Sequence, residues 1–70
     1  MADHFTLMLN GETRHFSAPL SVAALLEELG LDRRKVAVER NEAIVPRSLY
    51  EATQLTGGDA LEIVHFIGGG

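Results

Sequence analysis

A single amphipathic helix set among strand-like segments is the feature that most limits how these 70 residues can fold. Val22, Leu25, Leu26 and Leu29 recur at i, i+3, i+4 and i+7, which makes one apolar stripe, with Glu27 and Glu28 on the outer side. Ser21 is placed to cap the start, Gly30 to end the helix in a left-handed residue, and Leu31 to fold back as its hydrophobic partner. One stripe needs one apolar surface to cover it. The neighbouring segments supply that surface as strands.

Phe5, Leu7 and Leu9 alternate with His4, Thr6 and Met8, the period of a half-buried strand. Asn10-Gly11 follows, a dipeptide tolerant of positive φ and the strongest short hairpin signal. A second strand is predicted from about Thr13 to Ser17, with Arg14 and Phe16 on the face of Leu7 and Leu9. Pro19 breaks it. After the helix, Val36 and Val38 begin a third strand, Arg40-Asn41-Glu42 a turn, and Ile44-Val45 a very short strand that Pro46 confines to an edge. Ser48-Leu49-Tyr50-Glu51 has the form of a capping box and predicts one turn of helix. Gln54-Leu55 reads as a brief edge strand, Gly57-Gly58-Asp59 as a turn and Ala60 to Phe66 as the last strand. A helix between a hairpin and later strands is best buried across one mixed sheet. If the first and last strands pair centrally they must be parallel, which is an α+β, ubiquitin-like β-grasp arrangement.

A chain of this length makes one domain and buries only about 60% of its unfolded surface, leaving little room for an internal active-site cavity. Without cysteine there is no disulfide, thiolate metal site or thiol nucleophile, and the expected compartment is the cytoplasm. No signal peptide is visible, and no run approaches the roughly 18 apolar residues of a membrane span. The net charge of −4 repels phosphate backbones and suits a basic protein surface, so neither nucleic acid nor membrane is an expected partner. Arg33-Arg34-Lys35 reads as a solvated loop and Tyr50 as packing under a short helical turn. His4 and His15 share one face of the hairpin while His65 points the other way along its strand, so no metal site is expected.

The final strand runs directly into Ile67-Gly68-Gly69-Gly70. A glycine tail can be a frayed end or a cloning remnant. Here no tag-like residues accompany it and no polar linker precedes it. Glycine packs nothing and loses the most freedom on ordering, yet with no Cβ it passes through a narrow opening. Four extended residues reach roughly 13 Å, enough to carry the Gly70 carboxylate into a partner's active site while the body stays outside. The expected division is a β-grasp domain over 1–66 and a flexible tail over 67–70.

With these pieces in view the whole chain resembles the ThiS family of sulfur carriers. The markers are Asn10-Gly11-Glu12, Val22-Ala23-Ala24-Leu25-Leu26, Val36-Ala37-Val38-Glu39, Ile44-Val45-Pro46-Arg47, Gly58-Asp59 and Val64-His65-Phe66-Ile67-Gly68-Gly69-Gly70. The resemblance implies that a ThiF-type adenylyltransferase adenylates the carboxyl of Gly70 with ATP. A sulfur donor protein then converts the acyl-adenylate to a thiocarboxylate, and thiazole synthase takes the sulfur to form the thiazole of thiamin. Gly68 and Gly69 would thread the tail, one glycine more than the family's usual pair. No cofactor is expected to stay bound. The chain would be a protein co-substrate and not an enzyme, because it has no cysteine, no phosphate-cradling glycine loop before a helix and no triad.

Fixing four tail residues costs roughly 4–8 kcal/mol, and glycines contribute no side-chain contacts, so docking must come from the body. Leu61 and Ile63 are expected to face the helix, which turns Val64 and Phe66 outward beside Met8. Met8, Val64 and Phe66 are therefore the expected docking residues. Three other functions fit parts of the pattern: the small subunit of molybdopterin synthase, a protein modifier that forms amide bonds with lysines, and a β-grasp interaction module whose tail is never activated.

Overall fold

The structure is a computed structural model that describes residues 5–66. Asn10 and Gly11 adopt φ of 49° and 85°, the positive values of a type I′ turn. They join β1 (Phe5–Leu9) to β2 (Glu12–Phe16) in a hairpin registered through Leu7 opposite Arg14 and Phe5 opposite Phe16. The second strand starts one residue earlier than its composition suggests, because a two-residue turn pairs Leu9 with Glu12. Helix α1 (Val22–Glu28) is capped by the Ser21 hydroxyl, which accepts from the Ala24 N–H at 3.1 Å. At the other end the Leu31 N–H donates to Leu26 C=O, the Gly30 N–H donates to Glu27 C=O, and Gly30 has φ of 75°. These are the paired bonds of a Schellman motif, and they stop the helix where the glycine predicts.

A 3-10 turn (Arg33–Lys35) leads into β3 (Val36–Arg40), which pairs with β4 (Ala43–Val45) through a second two-residue turn. Its central residues, Asn41 and Glu42, also have positive φ, 51° and 72°. The basic run here is a capped turn: Asp32 accepts from the Arg34 backbone and guanidinium, and Arg33 pairs with Glu51 at 3.2 Å. The Arg34 hydrogen bonds lower the Asp32 carboxyl to about 2.

The capping box predicted at Ser48 is not formed. The 3-10 turn spans Arg47–Leu49 with Pro46 as its cap residue and no capping side chain. Pro46, fixed near φ −60°, starts the turn two residues before the motif requires, so Ser48 lies inside it and Glu51 turns to Arg33 instead. Gln54-Leu55 forms no strand. Gln54 makes an isolated bridge to Ser21 while Leu55 is buried in the core.

Strand β5 (Ala60–His65) completes a five-stranded mixed sheet in the order β2-β1-β5-β3-β4. Its pairing with β1 is parallel and every other pairing is antiparallel, as the β-grasp arrangement requires. Leu7, Leu9, Val36, Val38 and Leu61 meet Val22, Leu25 and Leu26 of α1 in the core. Tyr50 closes the open end of that layer, donating its hydroxyl to Val36 C=O at 3.3 Å. Residues 67–70, the expected tail, lie outside the described residues, as does His4.

The start of β5 is tied by Asp59, only 8% exposed. Its carboxylate accepts from Arg40 Nε at 2.8 Å, Asn41 Nδ2 at 3.0 Å and the Thr56 N–H at 2.8 Å. Burial works to raise this carboxyl, but the Thr56, Asn41 and Arg40 donors outweigh it and hold it below the ordinary range. A carboxylate depressed in the folded state contributes stability that is complete above its unfolded pKa of about 3.9 and is lost as pH falls through the folded value. Urea midpoints should therefore drop as pH is taken from about 5 to about 2. Asp59→Asn should cost about 1–3 kcal/mol at neutral pH and flatten that drop. Glu42 offers the opposite test. Its side chain occupies a left-handed position that glycine takes freely, so Glu42→Gly should raise stability by about 0.5–1 kcal/mol, seen as a higher urea midpoint at unchanged slope.

Candidate functional site

Alternation along the strands leaves one sheet face without a helix. Outward on it stand Thr6 and Met8 of β1, Ala37 and Glu39 of β3, Ile44 of β4, and Ala60, Glu62 and Val64 of β5, with Phe66 just beyond. Val64 is 57% exposed, Phe66 47% and Met8 39%. On the other face Leu61 is buried, Ile63 packs against the core and His65 remains exposed.

The register divides these side chains differently from the expectation that Met8 adjoins Val64 and Phe66. Met8 lies opposite Ala60, whereas Val64 lies opposite Ala37 of β3. Four residues of strand, roughly 13 Å, separate Ala60 from Val64. The cause is the short parallel overlap: β1 and β5 share only two register pairs before β1 turns into its hairpin. Val64 and Phe66 thus mark the end of β5 beside Ala37, and Met8 marks the opposite end of the face.

Between them the face is acidic. Glu39 lies directly opposite Glu62, with Ile44 on the far side of Glu39. Met8, Gly11, Glu39, Glu42, Ala60, Leu61 and Glu62 line a shallow depression of about 270 Å³. Like charges facing each other across strands destabilise a sheet, so this pair does not contribute to holding the fold together. Ile44, 65% exposed, was not among the residues expected on this face. Its parity opposite to buried Val45 was the available signal, obscured because a three-residue strand shows almost no alternation.

The last described residue is anchored, the Phe66 N–H donating to Lys35 C=O at 2.9 Å. Gly68, Gly69 and Gly70 lie outside the described residues. Among the described residues no three His, Cys, Asp or Glu side chains gather in a metal-binding group. His15 faces Thr6, with 3.1 Å between Nδ1 and Oγ1. No helix among these residues is long and apolar enough to cross a membrane.

The sequence profile of the ThiS family matches residues 7–70. A protein named thiazole synthase from Paramagnetospirillum magneticum is 62% identical over 64 residues, which cover 91% of this chain but only 20% of that longer one. The sulfur carrier protein ThiS of Bacillus subtilis is 37% identical over 65 residues, covering 91% of this chain and 98% of its own. The crystal structure of the thiamine biosynthesis protein (ThiS) of Geobacter metallireducens superposes with a TM-score of 0.80 at 34% identity, covering 93% of this chain and 99% of that one. The fold is therefore the ubiquitin-like β-grasp. With the similarity running through every strand to the terminal glycines, the chain belongs to the ThiS family.

Proposed function

We propose that this protein carries sulfur as a thiocarboxylate on Gly70 and delivers it for formation of the thiazole of thiamin. The observation that carries the reading is the family match, which extends unbroken from β1 to residue 70. The name of the Bacillus subtilis relative supports the carrier role. The presence of a closely similar stretch inside a protein named thiazole synthase supports that enzyme as the acceptor.

The chemistry follows from the group concerned. An α-carboxyl has a pKa of about 3.3–3.7 and is an anion at neutral pH, which resists nucleophilic attack. A carboxylate oxygen of Gly70 attacks the α-phosphorus of ATP and pyrophosphate leaves, giving an acyl-adenylate. Hydrosulfide-level sulfur released from a donor protein then attacks the acyl carbon, the acyl–phosphate bond breaks and AMP leaves. The net change is one oxygen replaced by sulfur with no change of oxidation state. A ThiF-type adenylyltransferase is the catalyst of the first step, because this chain has no cysteine, no phosphate-cradling glycine loop before a helix and no triad of its own. The protein is thus acted upon by enzymes and is not one. Gly68 and Gly69 thread the tail, and the open sheet face, with Val64 and Phe66 nearest its root, docks the body. The Glu39 and Glu62 carboxylates give that face the sign that attracts a basic partner surface.

Incubation of the 70-residue chain with ATP, a ThiF-type enzyme and a sulfur donor should shift the intact mass by one oxygen-to-sulfur exchange. The chain lacking Gly69 and Gly70 should show no shift. An unshifted full-length chain, or thiazole formation sustained by the truncated one, would refute the carrier reading. Phe66→Ala tests the docking face separately. The side chain is half exposed, so folding should be unaffected, while KM for adenylation should rise by about tenfold, as for loss of one large aromatic contact.

A further inference from the structure

Both hairpin turns reach back to β5 through an asparagine side chain, and the two contacts differ in a telling way. Asn41 joins Ala60 at the start of the strand: its N–H donates to Ala60 C=O at 2.7 Å, and its Oδ1 accepts from the Ala60 N–H at 2.9 Å. Asn10 acts further along. Its backbone N–H donates to Leu61 C=O at 2.9 Å. Its side chain then grips Ile63 on both polar groups, Oδ1 accepting from the Ile63 N–H at 2.8 Å and Nδ2 donating to Ile63 C=O at 3.2 Å.

The position of this second contact matters because the neighbouring strand has already gone. Register between β1 and β5 ends at Leu9 opposite Leu61. Beyond it only β3 flanks β5. The bonds from Asn41 N–H to Ala60 C=O and from Phe66 N–H to Lys35 C=O show that the even-numbered residues of β5 point their polar groups at β3. Ile63 therefore points its N–H and C=O at the side that β1 has vacated. The Asn10 amide, a peptide group in miniature, takes the place of the missing strand.

We propose that Asn10 is a positioning residue for the C-terminal carboxylate. By completing the ladder at Ile63, four residues before Ile67, it fixes the direction in which the chain leaves the sheet. This role rests on the carrier function proposed above. Asn10 touches neither ATP nor the reacting carboxyl and acts only through β5. Docking through the open face, and hence KM, is independent of it, whereas delivery of the Gly70 carboxylate to the activating enzyme's ATP depends on it.

Asn10→Gly is the discriminating variant. Glycine adopts the φ of 49° without strain, so the turn survives and only the side-chain grip is removed. Amide hydrogen exchange on the isolated protein should show the Ile63 N–H losing protection while core amides such as that of Val38 keep theirs. With a ThiF-type enzyme and ATP, kcat for AMP-adduct formation should fall by about tenfold with KM nearly unchanged, the pattern of a misdirected reacting group. Asn10→Asp keeps the acceptor for the Ile63 N–H but sets an oxygen against Ile63 C=O, and should lose less than the glycine variant. Unchanged Ile63 exchange in Asn10→Gly would overturn the proposal, as would faster exchange with an unaltered kcat. If the wild-type chain is never adenylated, the carrier reading falls and the positioning role falls with it. Exchange data alone would then still report whether Asn10 holds the strand.

Discussion

The structure depends on how β5 is held between two neighbours of unequal reach. β3 runs beside it for five register pairs, β1 for only two. A parallel pairing so short would leave half of a central strand exposed on one side. The fold closes that gap with side chains: Asp59 gathers Arg40, Asn41 and the Thr56 N–H at the strand's start, and Asn10 seals Ile63 beyond the point where β1 ends. Both asparagines occupy the first central position of a two-residue turn, where a short polar side chain tolerates positive φ and can bond locally. The same residues therefore make the hairpins and lock the strand that neither hairpin contains.

The two faces of the sheet are under different demands. The helix side carries the hydrophobic burial, with Val22, Leu25 and Leu26 closed against Leu7, Val36, Val38 and Leu61. The open side carries Glu39 facing Glu62 and large apolar side chains in water. Neither feature favours the isolated fold. A domain of this size has little stability to spare, so an arrangement that works against it is informative about what else the face must do. On the carrier reading, the cost is offset when a partner's basic and apolar groups cover the face.

Sequence made the elements legible wherever a local rule acts alone. The i, i+3, i+4 and i+7 stripe, the Ser21 cap, Gly30 and the Asn10-Gly11 turn each specify their own geometry, and each is found in the structure. Strand parity likewise placed Leu61 inside and Val64 outside. Register was not legible. Alternation says which way a side chain points but not which residue of the next strand it stands beside, and so Met8 was set next to Val64 when it lies opposite Ala60. The capping box failed for a related reason: Ser48 and Glu51 have the right spacing, but Pro46 starts the turn first and Arg33, distant in sequence, claims the carboxylate. Asn10 was read only as a turn former. Its second role depends on a contact with Ile63 across 53 positions, which no local pattern encodes.

On the carrier reading, these constraints bear on how little the β-grasp domain itself must supply. Activation of a carboxylate needs a bound nucleotide and a sulfur nucleophile, and a core this thin leaves little room to hold either. If both belong to partners, the carrier needs only a rigid surface for recognition and a short lead from that surface to the reacting atom. Every residue of freedom in the lead lowers the fraction of time the carboxyl spends in place, because ordering each costs roughly 1–2 kcal/mol. Within the described residues, Asn10 on one edge and the Lys35 carbonyl on the other hold β5 to its last residues. Without Asn10, the far half of β5 would be held on its β3 edge alone, so on the carrier reading the docked body would set the course of the chain beyond Phe66 less closely.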